Sequence, residues 1–348
     1  MPLTLHVDAA RWRAHLSATL RAYPGLIPVA KGNGYGFGLD LLVAECARLH
    51  GSDGVDTIAV GTYAEAPVAL AGFPGDVLVM EPYRPVIHAD LPHLRSGQLV
   101  HTITHGPDLQ DLQGRVGRPR VVVEGLSSMN RHGVPRPWLQ PTLDGLGEDV
   151  DLVALSLHLP LGTGHLGEIR SWVEEFGLPR GHQWQVSHLT AAEQTTLETA
   201  YPDRRFRCRM GTQLWLGDPG ALRIRGHVLD VRRVPTGDHA GYRQRRLRAG
   251  WLLVVGGGTA QGVALEAPSG AETVRRRAVA LAEGAMEAAG RVRSPFRVGG
   301  HAAWFVEPPH MQVSLLALPE GATPPEVGDE IDVRVRNTTL HADAVVFE

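Results

Sequence analysis

The chain has 348 residues, 43% of them hydrophobic and 20% charged, with a net charge of −3 at pH 7. That is enough for two domains, or for one large barrel with an appendage. The near-neutral balance gives no footprint for nucleic acid, no acidic tract suggests disorder, and no apolar run reaches the roughly 18–20 residues of a membrane helix. The start, Met-Pro-Leu-Thr-Leu-His-Val-Asp, lacks a basic segment followed by an apolar one, so no signal peptide is expected. Two cysteines, Cys46 and Cys208, cannot make a disulfide framework, which points to a reducing, cytoplasmic setting.

In chain order, a first strand is expected at about 3–8. An amphipathic helix over 8–22 follows, with Ala10, Trp12, Leu16 and Leu20 at roughly helical spacing. Strands are predicted at 26–30, Thr57–Val60, Val77–Met80, Val100–Thr104, Arg120–Val123, Val153–His158, Gln183–His188 and Arg207–Thr212. Helices over 40–50, 63–71, 165–176 and 190–200 lie between them. Eight such βα units with short connections imply a parallel (β/α)8, TIM-like barrel.

After about Leu222 the pattern changes to alternating apolar runs separated by turn residues. These begin at Ile224 and continue at Trp251–Val255, Gly262–Leu265, Ala303–Val306, Val313–Ala317, Ile331–Val335 and Ala342–Phe347. One helix-like stretch, Glu272–Ala289, interrupts them. The expected fold is α/β: a barrel over residues 1–222, then a mostly antiparallel β domain over 223–348 that the first strand joins.

One count singles out a residue. Of the 34 Lys and Arg residues 33 are Arg, and the single lysine is Lys31. The Arg, Ala and Gly bias points to GC-rich codons, under which lysine drifts to arginine wherever only charge matters. Lysine persists where its amine must lose a proton and act as a nucleophile, which guanidinium does not do. Lys31 ends a predicted barrel strand and precedes Gly32-Asn-Gly-Tyr-Gly-Phe-Gly38, the position where barrel enzymes carry catalytic groups.

The segment Pro28-Val-Ala-Lys-Gly-Asn-Gly-Tyr-Gly-Phe-Gly38 resembles the lysine motif of the alanine racemase family, fold-type III enzymes that use pyridoxal 5′-phosphate (PLP). The resemblance implies that Lys31 holds PLP as an internal aldimine and later acts as a base, and that Tyr35 hydrogen-bonds its phosphate. Ser127-Ser-Met-Asn-Arg131-His-Gly resembles the segment whose arginine meets the substrate carboxylate, a role that suits the fork of Arg131. Leu155-Ser-Leu-His158 resembles a strand whose histidine stacks on the pyridine ring.

Ser187-His-Leu-Thr190 resembles a phosphate-binding helix start, in which Thr190 is both N-cap and phosphate ligand. Arg207-Cys-Arg209-Met-Gly211-Thr212 implies that Arg209 faces the pyridine nitrogen, while Gly211 and Thr212 offer backbone N–H groups to the phosphate. Arginine, with a pKa above ~12, leaves that nitrogen unprotonated and so suppresses side reactions. Gly241-Tyr242 resembles the segment that carries the second base into the partner subunit's site. A racemase needs a base on each face of the carbanion, so a homodimer with shared sites is implied. His310-Met311-Gln312 resembles the family's segment near the substrate, which implies that Met311 lines it.

Four departures concern the substrate side. Glu124 stands where the family has a lysine, often carbamylated, and is expected to supply that negative charge beside Arg131. Gly258-Thr259-Ala-Gln-Gly262 lacks a pocket tyrosine, and His310-Met311-Gln312 lacks an aspartate. The chain ends at Glu348, before the family's usual terminal segment. The resemblance thus implies a PLP-dependent racemase of a small amino acid, alanine first, with no metal, membrane or nucleic-acid partner. The alternatives are a racemase or decarboxylase of another amino acid, and a PLP-binding protein with little turnover. Arg209 speaks against a decarboxylase, and the β domain against a bare cofactor-binding barrel.

Overall fold

The structure, a computed structural model, describes residues 2–162, 164–176, 183–265 and 292–348. The predicted helix Glu272–Ala289 lies outside the described residues. The chain divides into two compact units: Arg13–Gly34 with Gly38–Gly217, and the N-terminal residues through Trp12 with Tyr35–Phe37 and Asp218–Glu348.

The chain opens with β1 (Leu3–Val7) and α1 (Ala9–Ala22). Trp12 and Leu16 of the predicted apolar stripe are buried, whereas Ala10 faces solvent. The βα units then run β2 (Ile27–Pro28), α2 (Leu39–Asp53), β3 (Thr57–Val60), α3 (Ala66–Gly72), β4 (Asp76–Pro82), α4 (Pro85–His88), β5 (Leu99–Ile103) and α5 (Gly106–Val116). They continue with β6 (Arg120–Gly125), α6 (Arg136–Asp144), β7 (Asp151–Leu157), α7 (Leu166–Glu175), β8 (Gln183–Ser187), α8 (Ala191–Ala200), β9 (Arg205–Met210) and α9 (Thr212–Leu216).

All eight predicted barrel strands are present, parallel, in the order β2-β9-β8-β7-β6-β5-β4-β3. Residues just beyond β2 close the ring: Val29 N donates to Met210 O and Ala30 N to Ala59 O, both at 2.8 Å. Strands such as Val121–Val123 are apolar on both faces because the barrel interior covers one and helices the other. Ile27, Val29, Leu78, Val100 and Val122 fill the interior with the small Ala59 and Ala154 between them. At the opposite end from Lys31, Arg207 donates to Gly25 O and to Asp56 Oδ1, both at 2.5 Å, tying the starts of β2 and β3 to β9.

The second unit is a β structure. It comprises β10 (Leu222–Val234), β11 (His239–Ala240), β12 (Arg245–Arg246), β13 (Gly250–Gly256), β14 (Val292–Val298), β15 (His301–Phe305), β16 (Val313–Pro319), β17 (Glu330–Val333) and β18 (Ala344–Phe347). The main sheet runs β13-β16-β15-β14-β17-β10-β1-β18, and a further β10–β13 pairing closes six of these strands into a ring. β1 pairs antiparallel with β10 and parallel with β18.

Two sequence expectations fail here. Gly262–Leu265 is a turn rather than a strand, because Gly262 (φ 87°) and Ala264 (φ 61°) are left-handed and Gly258 N is tied to the Gln261 side chain at 3.0 Å. Strand β14 was not anticipated because Pro295 interrupts its pattern; a register shift between Arg293 and Arg297 accommodates the missing donor.

A Cβ on Gly125 would lie 2.8 Å from the ring of Trp172, which is 1% exposed and cannot move aside. Gly125→Ala is therefore expected to cost about 1–3 kcal/mol by overpacking. Urea unfolding measures this.

Candidate active site

The C-terminal ends of the barrel strands gather the chemistry. Lys31 leaves β2 with its stem laid against the backbone of the β3 end: a Cβ on Gly61 would sit 3.1 Å from the Cβ of Lys31. The loop around it is fixed by Glu65, which the sequence reading passed over. Its carboxylate accepts from the N–H groups of Gly32 at 2.7 Å, Gly61 at 2.6 Å and Thr62 at 3.2 Å. Thr62-Tyr-Ala-Glu65 has the spacing of a capping box, a signal that could have revealed it. Burial lowers the Lys31 pKa from its ordinary value, as do the charges of Arg131 and Arg209; Glu65 pulls it back up. Lys31 nonetheless remains open to solvent.

Arg209, on β9, is buried. Both terminal nitrogens of its guanidinium lie 3.3 Å from Glu124 Oε2, and one also reaches Leu157 O at 3.3 Å. Its Nε has no partner among the described residues. Glu124, on β6, also lies 2.9 Å from His132 Nδ1 and accepts from Ser156 Oγ at 3.1 Å. Burial works to raise the Glu124 pKa, but His132 and Arg209 outweigh it and hold the carboxyl down to about 2. The expected neighbour of Glu124 was Arg131. The structure instead gives it Arg209 and His132, because its side chain points into the barrel while Arg131 sits in the loop beyond.

That loop folds back on its own strand. Leu126 N donates to Val134 O at 2.9 Å and Val134 N to Glu124 O at 2.7 Å. Gly133 (φ 147°) is required there, since a Cβ would fall 2.4 Å from Leu126 N. Arg131 itself is exposed, and its charge reaches both Lys31 and His158. His158 follows β7, and its carbonyl accepts from Ser127 Oγ. Burial, then Arg209 and Arg131, push its pKa down to about 3, so the ring is neutral at neutral pH.

Thr190 caps α8 in a full capping box with Glu193. Gly211 is the N-cap of α9, and Thr212 is its first residue. Tyr35 is buried with φ 55°. Among the described residues, five with side chains have positive φ, and three of them, Tyr35, Asn130 and His188, lie in loops that leave barrel strands. Such strain concentrates at functional sites.

The structure thus brings together Lys31, Arg131, His158 and Arg209, through the charges they exert on one another. Tyr242 and Met311 belong to the other unit and are 86% and 72% exposed. Tyr242 tips the β11–β12 hairpin, its N–H and that of Arg243 bound to the buried carboxylate of Glu307 at 3.0 and 3.1 Å. Its ring lies 4.6 Å from that of His310, which also binds Glu307 at 2.6 Å. The two altered segments of this unit pack on each other, with Thr259 N donating to His310 O at 2.9 Å and Ala260 N to Met311 O at 2.8 Å.

His158 and Glu124 make a pH prediction. Below about 6.5 the unfolded chain protonates His158, while the folded chain resists until about 3. Below about 4.5 the unfolded chain also protonates Glu124, while the folded chain resists until about 2. Stability should therefore fall steadily as pH drops from 6.5 to 3. His158→Gln should make the upper part of that slope shallower, with His101, His88 and His188 supplying the rest, measured as urea midpoints against pH, and leave the lower part.

Residues 7–165 match the family model described as the alanine racemase N-terminal domain. No curated protein matches the chain in sequence. Among solved structures, the biosynthetic alanine racemase of Pseudomonas aeruginosa superimposes with a TM-score of 0.68 at 20% identity, covering 100% of this chain and 99% of that one. Alanine racemase of Bartonella henselae, solved with covalently bound pyridoxal phosphate, gives 0.71 at 15% identity with 100% of each chain covered. That of E. faecalis gives 0.70 at 16%, covering 100% and 98%. Over residues 7–165 the chain is thus similar to the alanine racemase N-terminal domain, and over its whole length it shares the fold of these alanine racemases.

Proposed function

We propose that this chain is a PLP-dependent amino-acid racemase, with alanine as the first substrate to test. The observation that carries the reading is the placement of the chain's one lysine at the barrel mouth, among Arg131, Arg209 and a neutral His158. The donor set fits PLP. It holds an amine of lowered pKa, a buried guanidinium Nε–H without a partner among the described residues, and an uncharged imidazole. When bound, PLP supplies the electron sink that makes the α-hydrogen of an amino acid removable.

The roles follow from residue chemistry. Lys31 would anchor the cofactor covalently and, when free, take or return the α-proton; its lowered pKa favours the neutral amine that a base needs. Arg209 would serve the ring nitrogen through its free Nε–H without donating its proton, which keeps the sink weak and favours exchange at the α-carbon. His158 would lie against the ring. Tyr35, Thr190, Gly211 and Thr212 would hold the phosphate, and Arg131 the substrate carboxylate. Tyr242, exposed on a hairpin pinned by Glu307, would serve a second copy of the chain as the opposite-face base, with Met311 lining the substrate. A homodimer follows from that role.

The test is α-proton exchange in D2O with chiral analysis, starting from L- and D-alanine and then a panel of small amino acids. Exchange with inversion is expected in the wild type. Tyr242→Phe should lower inversion at least 100-fold while keeping the cofactor bound, within the range of a lost acid–base group. Absence of exchange with every amino acid tested would overturn the reading.

A further inference from the structure

Two-base exchange leaves a debt of protons. After each conversion one base has gained a proton and the other has lost one, so a second conversion in the same direction requires Lys31 to shed or regain a proton. The groups around it are poor at this. Arg131 and Arg209 do not deprotonate. Glu65 spends its carboxylate on three N–H groups. His158 is too acidic when protonated to hold the proton.

His188 is different. It is the first residue beyond β8, and its side chain faces solvent between the buried Ser187 and Leu189. Its backbone is left-handed (φ 56°), a conformation that histidine adopts at a cost. The neighbours impose it: Ser187 Oγ is bound by Leu159 N at 2.9 Å, and Leu189 is 2% exposed. The imidazole meets that of His158 edge-on, with centroids 5.8 Å apart and planes at 68°.

The sheet places it relative to Lys31. Strand β9 lies between β2 and β8, and Arg209 is in register with Ile27 on one side and Ser187 on the other. Lys31 and His188 therefore leave the same rim from the two strands that flank β9, close enough for the charge of Lys31 to act on the imidazole.

We propose that His188 carries protons between Lys31 and solvent. The proposal rests on the racemase reading. In one direction the N–H bond at Lys31 Nζ breaks and one forms on the imidazole, which then releases its proton to water; the other direction reverses each step, and no electrons change hands. The groups facing His188 are His158 after β7, His165 before α7, Arg209 on β9 and Lys31 after β2. Burial, then His165, Arg209 and Lys31, lower the pKa of His188, so the ring is neutral and able to accept at neutral pH.

The test uses His188→Asn in the PLP-loaded enzyme, since asparagine tolerates a left-handed backbone and the variant should fold. We expect kcat to fall about 10-fold or more with KM little changed, and added imidazole to restore the variant in a dose-dependent way without affecting the wild type. A second readout needs no cofactor: the NMR titration of His188 should move to higher pH in Lys31→Ala, because a like charge has gone. Unchanged kcat in His188→Asn, a loss that imidazole does not repair, or a titration indifferent to Lys31→Ala would each overturn the shuttle. A wild type without racemisation would overturn the racemase reading, and the shuttle with it.

Discussion

The mouth of the barrel depends on one buried ion pair. Glu124 and Arg209 are 1% and 5% exposed, and each would be prohibitive there alone. Together, with Ser156 and His132 completing the carboxylate, they fix a guanidinium in the barrel interior with its Nε left over. Removing either partner strands a buried charge, a change that typically costs about 3–5 kcal/mol. The fixed positive charge then acts on its surroundings. It helps to keep His158 neutral and to lower the pKa of Lys31. A positively charged barrel mouth is thereby built around a guanidinium that one glutamate keeps in place.

The second constraint is backbone geometry. Lys31 works from a loop whose N–H groups converge on Glu65, and Arg131 from a loop that closes on its own strand through Gly133. Tyr35, Asn130 and His188 hold left-handed conformations beside these loops. The rim is thus held by the chain's own backbone and carboxylate hydrogen bonds, which is what positioning side chains requires. The C-terminal unit shows the same principle in another form. An exposed tyrosine is presented by a hairpin whose backbone is nailed to the buried Glu307.

Much of this was legible in the residues. Most of the barrel strands were readable because they are short apolar runs ended by turn chemistry, β8 and β9 by alternation of polar and apolar residues, and Lys31 because it is the one lysine in an arginine-rich chain. The β domain was less so. Pro295 disguises a strand, and left-handed Gly262 and Ala264 convert an apolar run into a turn. The partner of Glu124 was misjudged because sequence proximity to Arg131 says nothing about which face of β6 the carboxylate occupies; pairing across the barrel with Arg209 is a tertiary fact. His188 was invisible for a related reason: only the backbone twist after Ser187 turns it outwards.

Lys31 as the anchor for PLP is the central claim, and the chain makes it unusually testable because no other lysine can substitute. The protein would be incubated with PLP, reduced with borohydride, digested and mapped by mass spectrometry. The account predicts one pyridoxyl adduct, on the peptide containing Lys31, and none in Lys31→Ala. An adduct confined to the N-terminal amine, or one that persists in Lys31→Ala, would contradict it.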